Sequence, residues 1–193
     1  MDNFSALVRD ELGEDEVVLW SGRPAGMKLL DPPYGSPIII RWVVCLIIVC
    51  FGAWYRFIFY PSAQSSSVNA NVVLVVIVVI AALIALMPLK DMFALKKRCF
   101  YFITDRRALL LFTGTSSFLK EKKYSDVSGV THDLHAADRG NVYVGERLKN
   151  SSQKARATAL TRPHDDDADK PLVFYSVMNP KEVSGFFPDS VRK

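Results

Sequence analysis

The longest apolar run of the chain lies between Val72 and Leu89, where 18 consecutive residues carry no charged or polar side chain. As a helix this run extends about 27 Å, which matches the hydrocarbon core of a bilayer. Strands rarely exceed about ten residues, so the length outweighs the many β-branched side chains. The run therefore predicts a transmembrane helix over 72–89.

A second apolar segment, residues 38–60, precedes this run. Arg41 and Arg56 bracket its apolar centre, and both lie near its ends, where long side chains reach the headgroups at small cost. Aromatic residues at the two ends, among them Trp42 and Trp54, are typical of membrane interfaces. The pattern predicts a transmembrane hairpin with spans at about 38–60 and 72–89 and a short external loop at 61–71.

Residues 1–37 precede the hairpin and predict one helix and one strand. Apolar residues at helical spacing indicate a short amphipathic helix, which Gly13 ends. The next apolar segment, Glu16 to Trp20, predicts a short strand. The residues that define the helix are Phe4, Leu7, Val8 and Leu12.

Residues 90–193 follow the hairpin, have the length of one small domain and are rich in short apolar segments. Cys99–Ile103 and Ala108–Phe112 are separated by four polar residues, which is typical of a β-hairpin. Further strands at short intervals favour an all-β barrel or sandwich. These further strands are predicted at 118–124, 127–131, 142–145 and 172–177.

The end of the chain changes from strand to helix periodicity. Asn179, Pro180 and Glu182 stand in the order of a helix start, and an apolar face follows at Val183, Phe186 and Phe187. This helix is expected to close the β domain. Residues 149–170 are polar and predict an exposed, mobile loop, with a short strand near 155–160 as an alternative.

Composition and charge exclude several classes of protein. Half of the residues are hydrophobic, and 40 of them lie in residues 38–89, so the rest of the chain has an ordinary composition. The net charge of +4 is too evenly mixed to indicate nucleic-acid binding. Three cysteines at irregular positions give no disulfide framework. No nucleotide-binding, catalytic or other cofactor motif is present, so we expect no enzyme and no cofactor.

Lysine and arginine residues flank both spans, whereas residues 61–71 carry no charge. The positive-inside rule then predicts that both termini are cytoplasmic in a multi-pass inner-membrane protein. Basic residues after the hairpin are candidate contacts for anionic headgroups or for a protein partner. They are Lys90, Lys96, Lys97, Arg98, Arg106, Arg107, Lys120, Lys122 and Lys123.

Two of these candidate regions also have structural interpretations. Thr104 and Arg107 flank a turn in which short polar residues are favoured anyway. Lys120, Lys122 and Lys123 are also explained as the protected edge of a sheet.

Histidine and aspartate residues at 132–138 and 164–169 raise the question of a metal site. His132 and His135 have ligand-like spacing, but nothing in the sequence brings His164 and Asp165 to them. Closed zinc sites normally show tighter Cys/His pairs, so we predict no metal.

Three segments together resemble bacterial membrane proteins with a pleckstrin-homology (PH)-like domain. Gly13–Pro24 (GEDEVVLWSGRP) is similar to the segment before the spans, and Tyr101–Arg107 is similar to the hairpin that opens the domain. Phe174–Val183 resembles its last strand and closing helix. The resemblance implies a membrane-anchored PH-like fold without catalysis. The turn at 105–107 is too short for the basic loop that grips phosphoinositides in eukaryotic PH domains.

The sequence therefore predicts a bacterial inner-membrane protein that presents a PH-like domain as an interaction or scaffolding module. Its partners are expected to be the lipid bilayer, anionic headgroups, and a protein partner or a second copy of the chain. The alternative is an accessory subunit of a membrane transporter or enzyme, whose cytoplasmic domain senses lipid or metal.

Overall fold

A computed structural model describes residues 12–26, 28–30, 35–59, 69–114, 117–136, 138–146, 151–163 and 170–192. The predicted helix around Phe4 to Val8 lies outside these residues, as does most of the predicted loop 61–71.

Two long helices, α1 (Gly35–Trp54) and α2 (Ala70–Arg98), occupy the predicted spans. A π-helical turn, Tyr55–Phe59, extends α1. Gly35–Ile58 and Ala70–Arg98 are both long and apolar enough to cross a membrane, and few of their residues are buried. The two helices pack antiparallel against each other, with Gly52 next to Leu74 and Ile77.

The predicted boundary at residue 89 is not a break in the structure, because α2 continues to Arg98 and a β-strand begins directly at Cys99. Leu95 is fully buried and Met92 packs against the same core, so this part of α2 is stabilised by contacts with the β domain. The N–H of Cys99 caps the helix by donating to the carbonyl of Leu95.

In the part of the chain that the structure describes, seven strands form two antiparallel sheets. The predicted hairpin is confirmed as strands β2 (Cys99–Thr104) and β3 (Arg107–Phe112), with Ile103 opposite Ala108. The first sheet has the order β1 (Val18–Gly22), β2 (Cys99–Thr104), β3 (Arg107–Phe112), β4 (Phe118–Lys123). The second has the order β5 (Val130–Leu134), β6 (Arg139–Val144), β7 (Leu172–Met178).

Two features of this arrangement differ from the predicted architecture. The sheets are open and do not close into a hydrogen-bonded barrel, because a 3₁₀ turn (Tyr124–Asp126) separates β4 from β5 and the two strands do not pair. The β2–β3 hairpin also does not open the first sheet. Strand β1, which precedes the two long helices, pairs antiparallel with β2 and forms the edge.

The first sheet is apolar on both faces because its strands alternate two sets of apolar residues. Tyr101 and Leu110 face a large core that also includes β7, Leu95 and Ile38 near the start of α1. Phe102 and Leu109 form a smaller cluster on the opposite face with Leu12 and Val18 packed against it. The ends of the two long helices are thus part of the core of the β domain.

Residues 151–160 are helical (α3, Ser151–Leu160), which corrects the predicted loop and its alternative strand. Ala155 and Ala159 are fully buried one helical turn apart, and α3 packs against β7. Alanine has a high helix propensity and its small side chain lets the helix approach the sheet closely, although the segment has few large apolar residues.

The predicted C-terminal helix is confirmed as α4 (Pro180–Ser184). Its N-cap differs from the prediction because Asn179 adopts a left-handed conformation and caps no backbone N–H. Its side-chain Nδ2 donates instead to the Glu182 carboxylate at 3.3 Å. Val183 and Phe187 are buried as expected, whereas Phe186 is exposed.

Candidate functional site

The turn between β2 and β3 is organised by Thr104, which is fully buried. Its Oγ1 accepts hydrogen bonds from the N–H groups of Arg106 (3.2 Å) and Arg107 (3.0 Å). It also lies 2.8 Å from the carbonyl oxygen of Arg107. The side chain therefore fixes the backbone of the turn, which supports the structural interpretation of this threonine.

Glu16, from the segment before α1, binds to this turn. Its Oε1 lies 2.7 Å from Thr104 Oγ1 and accepts from Arg107 Nε at 3.0 Å, while its Oε2 accepts from Arg107 Nη2 at 2.9 Å. The N–H of Gly13 donates to the same carboxylate at 2.9 Å. The arrangement is a bidentate arginine–carboxylate pair, the strongest common form of ion pair in proteins.

Burial and hydrogen bonding make this ion pair a structural one. Only 2% of the Glu16 side chain and 17% of the Arg107 side chain are exposed. The hydrogen bonds from Arg107 lower the pKa of Glu16 to about 2. The same bonds raise the pKa of Arg107, and an ion pair with Glu121 of β4 raises it further. Arg107 is therefore held by two carboxylates of its own chain.

Glu16 is a residue that the sequence did not single out. It lies 88 positions from Thr104 and 91 from Arg107, in a stretch that also contains Glu14 and Asp15. Nothing in the local pattern distinguishes the carboxylate that pairs. Both segments belong to the resemblance described in the sequence analysis, which is a signal that could have joined them.

Two further contacts surround the pair. Val17 and Asp105 form two hydrogen bonds with each other. The N–H of Val17 donates to Asp105 Oδ1, and the N–H of Asp105 donates to the Val17 carbonyl, both at 3.1 Å. The Tyr124 hydroxyl lies 2.8 Å from the Thr104 carbonyl. Burial raises the pKa of Tyr124, so its hydroxyl stays protonated as a donor. These contacts add to the hydrogen bonds that hold the turn in place.

A cavity of about 670 Å³ opens beside this turn, and we call it the turn cavity. Arg106 and Lys123 contribute exposed cationic groups to it, and Ser125 and Ser190 contribute hydroxyls. Its described lining includes neither histidine nor cysteine. The remaining lining residues are Gly13, Glu16, Asp105, Arg107, Tyr124 and Pro188.

The structure separates the nine basic candidates into three groups. Lys90, Lys96, Lys97 and Arg98 are exposed in the last turns of α2. Arg106, Arg107 and Lys123 lie at the opposite end of β2 and β3, where Arg107 pairs with Lys123 in the sheet register. Lys120 and Lys122 lie between these ends on β4.

The lysines of β4 fit the predicted sheet edge, since β4 is the last strand of its sheet. Lys120 Nζ donates to the Thr158 carbonyl in the last turns of α3 at 2.8 Å, a favourable place for a cation. Lys122 Nζ lies 3.5 Å from the Lys170 carbonyl. Both side chains thus contact neighbouring backbone of their own domain.

The histidines at 132 and 135 contact different elements. His132 is exposed on β5, with Nδ1 3.4 Å from Ser184 Oγ of α4, whereas the His135 ring stacks on Tyr175 of β7. Within the part of the chain that the structure describes, no group of three metal-ligating side chains is found. His164 and Asp165 lie outside it.

A second network holds the segment after β1. The buried Asn141 accepts from the N–H of Ser176 at 3.0 Å through Oδ1 and donates to the Tyr143 hydroxyl at 3.2 Å. The Tyr143 hydroxyl donates to Asp133 at 2.8 Å, and Ser176 Oγ donates to the Ala25 carbonyl at 3.0 Å. The residues around β1 are therefore joined to both sheets.

No family model, curated protein or solved structure matches the chain at a significant level. The resemblance to PH-like membrane proteins therefore rests on the three sequence segments quoted above. Two of these segments meet in the structure, because Glu16 of the first bonds to Thr104 and Arg107 of the second.

Proposed function

We propose that the chain is an integral membrane protein that presents a PH-like domain at the cytoplasmic face of a bacterial inner membrane, as an interaction or scaffolding module. The observation that carries this proposal is the pairing of β1 with β2 across α1 and α2. Two crossings of the membrane by α1 and α2 return the chain to the side of the membrane from which it started. Strand β1 can then pair with β2, which a single crossing would prevent.

The order of the elements supports the PH-like assignment. The described strands form sheets of four and three strands and are followed by a C-terminal helix. The resemblance implies a β domain that is closed by such a helix. The departure is that the first strand precedes the spans. The anchor is accordingly inserted into the domain, between its first and second strands.

The turn cavity is the proposed contact for a protein partner. Strand β2 has six residues, so about 20 Å separates the turn from the end of α2. This distance exceeds the Debye length of about 8 Å at physiological ionic strength. The charges of Arg106 and Lys123 are thus electrostatically independent of the basic residues of α2.

Photo-crosslinking in native membranes tests the partner proposal. A crosslinking amino acid at Ser125, in the cavity lining, is expected to give a discrete adduct with another protein. The same amino acid at the exposed Lys181 of α4 is the matched control and is expected to give none. Equal adducts from both positions, or no adduct from Ser125, would contradict a partner at this cavity.

Reporter fusions at Ser66 and at Lys193 test the anchor. The fusion at Lys193 is expected to report a cytoplasmic location and the fusion at Ser66 an external one. A cytoplasmic Ser66 would overturn the two-span arrangement.

A further inference from the structure

The last nine residues of α2, Lys90–Arg98, connect the apolar run to β2, and we call them the stalk. One face of the stalk is occupied by the β domain. Leu95 is fully buried there, and Met92 packs against the same core. These two positions define the inner side of the stalk.

The opposite side carries Lys90, Phe93 and Lys97, which we call the outer stripe. Their spacing of i, i+3 and i+7 places them within about 60° of one another around the helix. Both lysines are exposed, and 53% of Phe93 is exposed. An exposed phenylalanine between two lysines on one helix face is typical of segments that lie at a membrane surface.

The position of the outer stripe matches the headgroup layer. Lys90 directly follows the apolar run, and Phe93 and Lys97 lie about 6 and 12 Å from the end of that run along the helix axis. The polar layer on each side of the hydrocarbon core is about 5–8 Å thick. Phe93 therefore falls within this layer, and the long stem of Lys97 reaches back towards it.

We propose that the outer stripe binds anionic phospholipid headgroups, with Phe93 among the lipids and Lys90 and Lys97 on the phosphates. This inference deepens the proposed function and rests on it. Arg98 is not part of the site, because its guanidinium lies over Gly114, where an added Cβ would be 3.1 Å from Nη1. Its carbonyl accepts from the N–H of Thr113 at 2.8 Å, which fixes Arg98 to the β domain.

Native mass spectrometry of the full-length protein tests the site. The protein is released from nanodiscs that contain equal amounts of phosphatidylglycerol and phosphatidylcholine, and the retained lipids are counted. The wild-type chain is expected to retain phosphatidylglycerol preferentially. The double variant K90Q/K97Q is expected to lose this preference by roughly tenfold or more, because each lysine near an anionic surface contributes separately.

Three variants keep the test specific. R162Q/K181Q removes the same charge from exposed positions outside the stalk and is expected to keep the preference. Phe93→Ser is expected to weaken it, and Phe93→Trp to retain it, because tryptophan suits the same interface. An unchanged preference in K90Q/K97Q would overturn the lipid site.

Alkaline carbonate extraction separates this failure from a failure of the proposed function. If alkaline carbonate extracts the wild-type chain from membranes, the proposed membrane-spanning hairpin is wrong. If the chain stays in the membrane and K90Q/K97Q still prefers phosphatidylglycerol, the anchor stands and the outer stripe is not the lipid site.

Discussion

Glu16 is the residue on which the junction of the two halves of the β domain depends. Its carboxylate bonds to Thr104 and Arg107 and accepts from the backbone of Gly13. Replacement by alanine leaves Arg107 largely buried with one of its two carboxylates removed. Breaking a buried pair in this way is expected to lower the free energy of unfolding by about 3 kcal/mol.

Denaturation of the purified protein in micelles, followed by near-UV circular dichroism, measures the effect of Glu16→Ala. Glu14→Ala is the control, because Glu14 is exposed and its replacement changes the net charge equally. Glu14→Ala is expected to change stability by less than about 0.5 kcal/mol. Equal losses in the two variants would show that the ion pair does not stabilise the fold.

The lowered pKa of Glu16 also predicts a pH dependence. The pKa is about 2 in the folded protein and 4.5 for an unperturbed glutamate, so the unfolded chain takes up this proton first. The contribution of Glu16 to stability is therefore complete above pH 4.5 and declines as the pH falls towards 2. The difference in unfolding free energy between wild type and Glu16→Gln is expected to narrow between pH 5 and pH 2. A difference that stays constant over this range would contradict the assignment.

At the level of elements, the packing of the Trp20 ring fixes the position of β1. Trp20 stacks on Phe174 of β7, with ring centroids 6.2 Å apart, and a Cβ added at Gly22 would overlap the Trp20 ring. Gly22→Ala is expected to displace this ring and to lower stability by about 1–3 kcal/mol.

Gly13→Ala is the matched control for Gly22→Ala. A Cβ added at Gly13 meets its nearest atom, Glu16 Oε2, at an ordinary 3.5 Å, and the N–H that donates to Glu16 is kept. Thermal unfolding monitored by tryptophan fluorescence compares the two variants. A melting temperature for Gly22→Ala as high as that of Gly13→Ala would show that the Trp20 contact is dispensable.

Elements with strong local patterns were predicted from the sequence. The first long helix, the β2–β3 hairpin and β7 agree with the structure to within a few residues, because apolar runs and turn residues mark them directly. The second long helix agrees at its start but continues nine residues beyond the predicted end at 89. The helix at 151–160 has no such pattern, because it packs through Ala155 and Ala159 and small side chains give little hydrophobic signal.

Contacts between distant segments were not predictable in the same way. The pairing of Ser21 with Phe102 depends on how the intervening helices return the chain, and no local pattern records that path. For the same reason, the sequence does not distinguish Glu16 from the acidic residues next to it. The turn cavity could not be predicted from the sequence either, because its lining comes from four separate parts of the chain.

For the whole molecule, the insertion of both helices between β1 and β2 predicts that residues 90–193 do not form a stable domain alone. Without residues 12–29, β2 becomes an unpaired edge and Arg107 loses Glu16, so this fragment is expected to aggregate. Joining residues 12–29 to residues 90–193 through a glycine–serine linker restores both contacts. This chimera is expected to be the more soluble and monomeric of the two.

Size-exclusion chromatography and amide hydrogen exchange of the fragment and the chimera provide the measurement. Protection of the β2 amides is expected in the chimera and not in the fragment. A monomeric fragment with equal protection would show that the first sheet does not need β1.

Helix α2 ends at Arg98 and strand β2 begins at the next residue, Cys99, and this direct connection has a mechanical consequence. A 29-residue helix is about 44 Å long, and a transmembrane helix adapts to the thickness of its bilayer chiefly by tilting. No flexible residue lies between the last helical position and the first residue of β2. Leu95, buried in the core of the β domain, also prevents independent rotation at this joint. In the proposed membrane orientation, a tilt of the stalk therefore also turns the first sheet and changes the direction in which the turn cavity faces.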